Sequence, residues 1–418
     1  MKQLIALVLC LTVFTVNANV RDFQKGHVLL DLNFDEYQAW YQEMSERKDE
    51  SLVDLQPETQ MAINGGEKMS GWLKLINSKR SSENQVRLTS STSRGGGIPI
   101  DRANKYGPST IKKRYESISL EMPKVLLEVI YGSKRITSTM PLEEKELVKW
   151  FRKVSHLYQT SVRWSGMRKW LSYYAKRRER DVRGYYFLNK MESLDGKLRS
   201  YSELTNEKQL ELKGHLLGIC YNTLKNDKKC EATFKQYLSS AKLVSFKNKY
   251  MSNARKVWNS YYVISNPRTD VVWTRSNPKL MSVIFKDPRN TEVAHWLKTN
   301  VEEEFKRDLL GWNLEMNYVE RGAGLAHLEF KPNVTPHVSG GNTLVMDANT
   351  PLGEWDSMWT IRHEYGHILR LPDCYFEFYD SKENLMVNYQ LDVTDLMCSR
   401  SGDMNDRIYE ELKRVYFR

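Results

Sequence analysis

Two histidines four residues apart, His363 and His367, constrain the fold of this chain more than any other feature. They begin and end the segment His-Glu-Tyr-Gly-His over residues 363–367. On an α-helix, side chains at i and i+4 lie on one face, so both imidazoles can reach one zinc ion. Glu364 would then project towards a water on that ion and could accept its proton. The segment therefore predicts a helix over residues 355–369 that carries a metal site.

Zinc in a catalytic site needs a third protein ligand and one open position. Asp373 lies six residues after His367, beyond Pro372, which must end the helix and turn the chain. A carboxylate from a second element is the alternative, and Glu383 is the nearest candidate of that kind. The residues alone leave both choices open.

The last third of the chain alternates between strand and helix patterns. Apolar residues alternate with polar ones, as in strands, at residues 280–285, 314–319, 325–330 and 343–346. An amphipathic helix pattern over 291–309 separates the first two strands. This order predicts an α+β domain over residues 263–418, in which a sheet precedes the helix with the two histidines.

Residues 137–262 are predicted to form a helical domain. Thr139 and Pro141 suit the start of its first helix, and further helical stretches are predicted at 205–224 and 230–262. One apolar face recurs at helical spacing; its residues are Leu147, Phe151, Val154, Tyr158, Trp164, Met167, Trp170, Leu171 and Tyr174. Aromatic residues at this spacing indicate a core, rather than a stacking surface for sugars or bases.

Residues 19–136 are predicted to be a mixed region. It opens with a strand-like stretch at 27–32. Residues 81–97 are rich in Ser and Gly and poor in apolar side chains, which predicts an exposed loop. Arg94 is a candidate processing site in that loop, and a plain surface linker is the alternative.

The N-terminus has the three parts of a secretory signal. Lys2 provides the basic start, residues 4–16 are nearly all apolar, and Ala18 provides the small residue at the cleavage point. The apolar run is shorter than the roughly 20 residues that a bilayer core requires, which disfavours an uncleaved anchor. Residues 1–18 are therefore predicted to be a signal peptide, and the protein is predicted to be secreted or periplasmic.

Four cysteines remain after the predicted signal: Cys220, Cys230, Cys374 and Cys398. An even number in an exported chain predicts disulfides, and four cysteines allow three pairings. Short separation in sequence favours Cys220 with Cys230 and Cys374 with Cys398.

The positive charge of the chain is unevenly placed. There are 63 Lys and Arg against 52 Asp and Glu, a net charge of +11, whereas residues 256–418 hold 19 basic and 24 acidic residues. The excess therefore lies in the first 255 residues, where residues 176–183 form the densest basic run. This region could dock on the acidic part of the chain or on an anionic surface. Export and the acidic final third disfavour nucleic acid as a partner.

Residues 363–373 resemble the zinc motif of the metzincin metallopeptidases. They read His-Glu-Tyr-Gly-His-Ile-Leu-Arg-Leu-Pro-Asp, and aspartate as the third ligand is similar to the snapalysin branch. Arg370 stands where the family has a glycine. The family also has a methionine-bearing turn beneath the metal, which residues 395–399 with Met397 resemble. The likeness covers at most residues 265–418 and is firm over these two segments.

The resemblance implies a zinc-dependent endopeptidase with a twisted mixed sheet and an active-site helix. One Zn²⁺ would be held by His363, His367 and Asp373, and Glu364 would be the general base for hydrolysis of protein or peptide substrates. The Cys374–Cys398 disulfide would tie the methionine turn to the loop of the third ligand.

Other roles stay open. Tyr375, Tyr379 and Tyr389 are three candidates for stabilising the oxyanion. His327 and His337 could line the cleft or simply pack. Residues 19–262 could be an inhibitory pro-segment, a binding module or a substrate-positioning domain. The alternative function is a surface-binding or adhesion protein whose basic region binds an anionic polymer or membrane.

Overall fold

The computed structural model describes residues 55–90 and 97–418, which form an α+β fold with a mostly helical front and a mixed back. The predicted signal peptide with Ala18, the strand-like stretch at 27–32 and the candidate processing site at Arg94 lie outside the described residues. Within the described ranges, no helix is long and apolar enough to cross a bilayer.

Ten helices occupy the front of the described chain. They are α1 (Pro57–Asn77), α2 (Pro108–Glu121), α3 (Lys124–Ile130), α4 (Glu144–Met167), α5 (Leu171–Arg177), α6 (Arg183–Lys190), α7 (Leu194–Arg199), α8 (Asn206–Leu224), α9 (Asp227–Ser239) and α10 (Leu243–Ser260). A short strand, β1 (Asn104–Tyr106), lies between α1 and α2.

Helix α4 differs from the prediction at both ends. It begins at Glu144 rather than near Pro141, because Glu143 is still extended (φ −58°, ψ 144°) and takes the capping position. The predicted apolar face is buried from Leu147 to Trp164, as expected. Trp170, however, is 63% exposed, because the chain tightens into a 3₁₀ turn after Met167 and leaves the α-helical register.

The predicted helical stretch 230–262 is two helices. Ala241, at φ 53°, separates α9 from α10, and such a left-handed residue ends an α-helix. Helices α6 to α10 share one core, which contains the Cys220–Cys230 disulfide. Helix α4 instead packs with α1, α2 and α3 in a separate core, so the front contains two helical clusters. The domain limits at 136 and 262 stay predictions.

The back of the chain contains nine strands and three helices. They are β2 (Val271–Thr274), β3 (Asn277–Lys286), α11 (Thr291–Glu304), β4 (Lys306–Arg307), β5 (Trp312–Val319), β6 (His327–Lys331), β7 (His337–Ser339), β8 (Thr343–Asp347), α12 (Trp355–Ile368), β9 (Tyr375–Asp380), β10 (Leu385–Gln390) and α13 (Asp406–Tyr416). The four predicted strands correspond to β3, β5, β6 and β8. The predicted helix 291–309 ends at Glu304, five residues early, because β4 begins at Lys306.

The sheets of the back half combine parallel and antiparallel pairs. One has the order β2-β3-β5-β4, with β3 and β5 parallel, and another has the order β6-β8-β7, with β6 and β8 parallel and β7 antiparallel. A bridge between Phe285 and Ala326 joins these two sheets. Helix α12 packs on β7 and β8, so this composite sheet supports the helix with the two histidines.

A third sheet joins the front of the chain to the back. Its order is β1-β10-β9, all antiparallel, with Tyr106 of β1 opposite Met386 of β10. Sequence analysis missed this sheet. Strands β9 and β10 follow the third-ligand candidate directly, so the front half contributes to the sheet that continues from the site.

Three buried carboxylates of the back half receive hydrogen bonds from the front half. The Arg163 guanidinium of α4 donates to both oxygens of Glu377, at 2.8 and 2.5 Å. The backbone N–H groups of Leu88 and Thr89 donate to Glu354, the residue before α12. The third carboxylate, Asp347, accepts from the Tyr158 hydroxyl at 2.8 Å.

The end of α12 turns the chain back towards the histidines. Leu371 N–H donates to the Gly366 carbonyl and Arg370 N–H to the His367 carbonyl, both at 3.0 Å, which is the Schellman arrangement. Its left-handed residue is Arg370, at φ 67°. Arginine therefore adopts a backbone conformation that favours glycine, at a steric cost of about 1–2 kcal/mol.

We predict that Arg163→Met lowers the free energy of unfolding by about 3 kcal/mol, because it leaves the buried Glu377 charge without its partner. Urea denaturation measures the loss. The double variant with Glu377→Met should recover most of it. Arg178→Met is the matched control, since the Arg178–Asp227 pair is solvent-exposed and should contribute less than about 1 kcal/mol. Equal losses for the two arginines would contradict the prediction.

We also predict that Arg370→Gly is more stable than Arg370→Ala by about 1 kcal/mol, although both remove the same guanidinium group. Only glycine adopts a positive φ without strain. Thermal and urea unfolding of the two variants give the difference. Lys235, exposed within α9, provides the control, because there alanine should be the more stable replacement. If alanine were the more stable replacement at both positions, the backbone of residue 370 would be unstrained.

Candidate metal centre

The helix that carries the two histidines is held at both ends and buried along one side. Glu354 precedes its first turn and is itself buried, and the turn described above closes its C-terminus. His363 and Glu364 are 4% and 6% exposed. Their burial follows from packing against the sheet on one side and against residues 371–398 on the other, so polar groups here must find partners inside the protein.

Three potential ligand atoms converge at this point. Asp373 Oδ1 lies 3.3 Å from His363 Nε2 and 2.9 Å from His367 Nε2. The three ligand atoms all lie within 4.8 Å of one another. Two imidazoles and one carboxylate form a donor set that suits zinc and leaves a fourth position open. The spacing predicted from the sequence therefore brings these three residues together.

The far nitrogen of each imidazole is held by a backbone carbonyl. His363 Nδ1 lies 2.7 Å from the Leu396 carbonyl, and His367 Nδ1 lies 2.8 Å from the Leu371 carbonyl. A carbonyl can only accept, so each Nδ1 must carry the hydrogen and each Nε2 is directed at the shared site. Such outer hydrogen bonds fix ring orientation in metal-binding histidines.

Charge at the site favours an ionised carboxylate beside the histidines. Burial alone would lower the pKa of His367, but the Asp373 carboxylate outweighs it and raises that pKa to about 10. Burial would likewise raise the pKa of Asp373, yet the two imidazoles hold it well below its usual range. The cluster thus attracts a proton strongly, as it would attract another cation.

Glu364 has an oxygen with no partner. Its Oε2 is buried and makes no hydrogen bond among the described residues. A buried carboxylate oxygen without a donor is costly, and in a native protein such a group calls for a bound water or ion. A water molecule held beside the ligand cluster would supply the missing donor. The free oxygen and the oriented Nε2 atoms together fit a metal with a bound water.

Met397 lies directly beneath the helix. It is fully buried, and a Cβ added to Gly366 would collide with its sulfur. The turn that carries Met397 is held by Asp395, whose carboxylate accepts from the Met397 N–H at 2.8 Å and pairs with Arg407. The predicted methionine turn thus underlies Gly366, at a point where only glycine fits.

The second predicted disulfide, Cys374–Cys398, joins that turn to the loop of Asp373. Cys374 N–H also donates to the Met397 carbonyl at 3.0 Å. Both predicted cysteine pairings are present in the structure.

Of the three tyrosines considered for the oxyanion, only Tyr375 lies beside the cluster. Its ring centroid is 5.9 Å from that of His363, and its hydroxyl makes no hydrogen bond within the described residues. Tyr379 donates to Asn384, and Tyr389 donates to Asp181 and accepts from Val182 N–H. Burial and the nearby Asp373 raise the pKa of Tyr375 well above its usual value, so it stays a donor.

The alternative third ligand and the two outlying histidines lie outside the cluster. Glu383 pairs with Lys105 at 2.6 Å in the turn between β9 and β10, which leaves Asp373 as the carboxylate at the histidines. His327 lies 3.3 Å from both Glu329 and Thr343, and His337 is exposed beside the Thr335 carbonyl.

Sequence analysis missed the residues of the front half that border the site. Arg163 lies 5.6 Å from the Tyr375 ring centroid and binds Glu377, which also accepts from Tyr106. No local pattern marks Arg163, because it lies 214 residues before its partner. The alternation of apolar side chains in residues 375–380 was a usable strand signal.

Comparisons with protein-family models, with curated proteins and with solved structures found no match to this chain.

Proposed function

We propose that this protein is a zinc-dependent endopeptidase. The proposal rests chiefly on one observation, the convergence of His363 Nε2, His367 Nε2 and Asp373 Oδ1 beside the unpartnered Glu364 oxygen. The resemblance of residues 363–373 and 395–399 to the metzincin peptidases supports it. So does the mixed sheet against which the helix packs.

His363, His367 and Asp373 would hold the zinc ion. When bound, the ion would polarise a peptide carbonyl and lower the pKa of a water molecule to about 7. The hydrogen bonds from each Nδ1 to a backbone carbonyl keep both rings directed at the ion and strengthen the imidazoles as donors.

Glu364 would act as the general base and then as the general acid. Its free Oε2 would accept the proton of the attacking water, and the carboxyl group would later deliver that proton to the leaving amine. The water oxygen bonds to the carbonyl carbon first. The carbon–nitrogen bond then breaks as the nitrogen takes the proton from Glu364, so the two halves of the peptide leave as a carboxylate and an amine.

Tyr375 would stabilise the negative charge that develops on the carbonyl oxygen. A phenol hydroxyl without another acceptor can donate to such an oxygen without first breaking a hydrogen bond. Arg163 holds the ring of Tyr375 from the side of the front half and is therefore a positioning residue.

The proposal also includes the compartment in which the protein would act. The predicted signal peptide would deliver the chain to an oxidising compartment, in which the two disulfides can form and persist. The protein would then be secreted or periplasmic and act on proteins or peptides there.

The central test is Glu364→Gln, which removes the base without removing a ligand. It should retain one zinc ion per chain, and kcat/KM on a cleaved peptide from a proteome-derived library should fall about 10³-fold. Elemental analysis and cleavage kinetics give the two readouts. Asp373→Asn should instead lose zinc.

Glu383→Gln is the matched control, because Glu383 pairs with Lys105 away from the cluster. It should keep both zinc and activity. A Glu364→Gln protein that keeps full activity would refute the peptidase proposal.

We further predict that Tyr375→Phe lowers kcat about 10²-fold and leaves KM nearly unchanged, since the hydroxyl would act mainly in the transition state. Steady-state kinetics with the same peptide measure both constants. Tyr379→Phe is the control, because that hydroxyl is already bonded to Asn384. Equal effects of the two substitutions would remove Tyr375 from the mechanism.

A surface-binding or adhesion protein is the second candidate. It is favoured by one observation, the exposed cations next to Trp170 described below. In that case a Glu364→Gln protein would keep its full biological effect.

A further inference from the structure

Helix α5 and the turn before it form an exposed surface with an unusual composition. We define the α5 surface as Lys169, Trp170, Tyr173, Lys176 and Arg177. The two aromatic residues are 63% and 55% exposed, although large aromatic side chains are normally buried. Tyrosine and tryptophan, whose rings have an apolar body and one polar edge, are enriched where proteins bind other proteins.

Among the residues that the structure describes, the cations of the α5 surface have no anionic partner. Across residues 55–90 and 97–418, no carboxylate lies within ion-pair distance of Lys169, Lys176 or Arg177, whereas their neighbours Arg178 and Arg183 are paired with Asp227 and Asp181. Arg177 instead lies over the rings of Tyr173 and Tyr174, at 5.9 and 5.7 Å. The surface therefore offers uncompensated positive charge next to apolar area.

The α5 surface borders the candidate metal centre. Helix α5 packs along β9, the edge strand that begins at Tyr375. Arg177 of the α5 surface lies over the ring of Phe376 in that strand, at 5.7 Å, and Arg163 lies over the ring of Tyr375. Since each extended residue spans about 3.3 Å, a peptide that runs along β9 from the candidate metal centre would reach α5 within a few residues.

We propose that the α5 surface binds an acidic segment of a protein substrate, a few residues from the bond that is cleaved. This inference rests on the proposed function and adds the class of substrate. Asp and Glu side chains would pair with the lysines, and an apolar side chain between them would contact Trp170. An anionic bilayer shares the charge chemistry, but the position of the surface along β9, which follows the candidate metal centre, favours a polypeptide.

The first experiment compares two substrates. A peptide that the wild-type protein cleaves is extended, on either side, with a run of Asp and Glu or with a run of Gly and Ser. The acidic extension should raise kcat/KM about 10-fold in wild type at low salt, and the gain should fall steeply with added salt.

The test variant is Lys169→Ala, Trp170→Ala and Lys176→Ala combined. It should lose the gain and cleave the neutral peptide normally. The matched control combines Lys228→Ala, Leu210→Ala and Lys235→Ala, which remove similar groups at exposed positions of α8 and α9. It should retain the gain. No gain in wild type, or equal gains in both variants, would overturn the proposal.

A binding experiment separates this proposal from the catalytic one. In the Glu364→Gln background, a fluorescein-labelled Asp/Glu-rich peptide should bind at least 5-fold more weakly when the three α5 substitutions are added. Vesicles of phosphatidylserine and phosphatidylcholine are tested in parallel. Binding to vesicles without binding to the peptide would overturn the proposal in favour of a membrane. If the peptide binds through α5 but the wild-type protein cleaves no peptide, the peptidase proposal is refuted and the binding proposal is not.

Discussion

The burial of acidic groups in the back half depends on hydrogen-bond donors from the front half. Glu377, Glu354 and Asp347 are at most 6% exposed, and each accepts a hydrogen bond from residues 88–163. A buried charge without such donors costs several kcal/mol. These carboxylates flank α12 and lie in the strands around it, so the geometry of the candidate metal centre depends on the front half being in place.

A second constraint acts inside the back half, where two backbone turns orient the histidines. The Leu371 carbonyl comes from the turn that ends α12, and the Leu396 carbonyl comes from the methionine turn. The Cys374–Cys398 disulfide links the chain after Asp373 to that second turn. Rotamers that are locked by packing and outer hydrogen bonds hold a site more closely than free side chains do. The left-handed backbone of Arg370 contributes to this, because it places the Leu371 carbonyl against His367 Nδ1.

The ligand cluster could be predicted from the sequence because its residues lie close together along one helix and one turn. The i, i+4 spacing of His363 and His367 follows from helix geometry, and Pro372 indicates that the helix ends before Asp373. Strands with alternating apolar residues were also predictable. The sheet β1-β10-β9 and the Arg163–Glu377 pair were not, because long-range partners leave no local period. Trp170 was assigned to the core because the helical spacing gave no sign of the 3₁₀ turn before it.

The uneven charge of the chain now has two separate explanations. Some basic residues of the front half are directed inwards: Arg163 binds Glu377, and Lys74 is buried beside Asp347 and donates to the Ala348 carbonyl. Release of this region as a pro-segment would leave those acidic groups uncompensated, which argues that α1 to α4 remain part of the working protein. Lys169 and Lys176 of the α5 surface are instead exposed and pair with no carboxylate of the described residues. The same excess of charge thus binds the two halves together at one place and, at another, remains available to a partner.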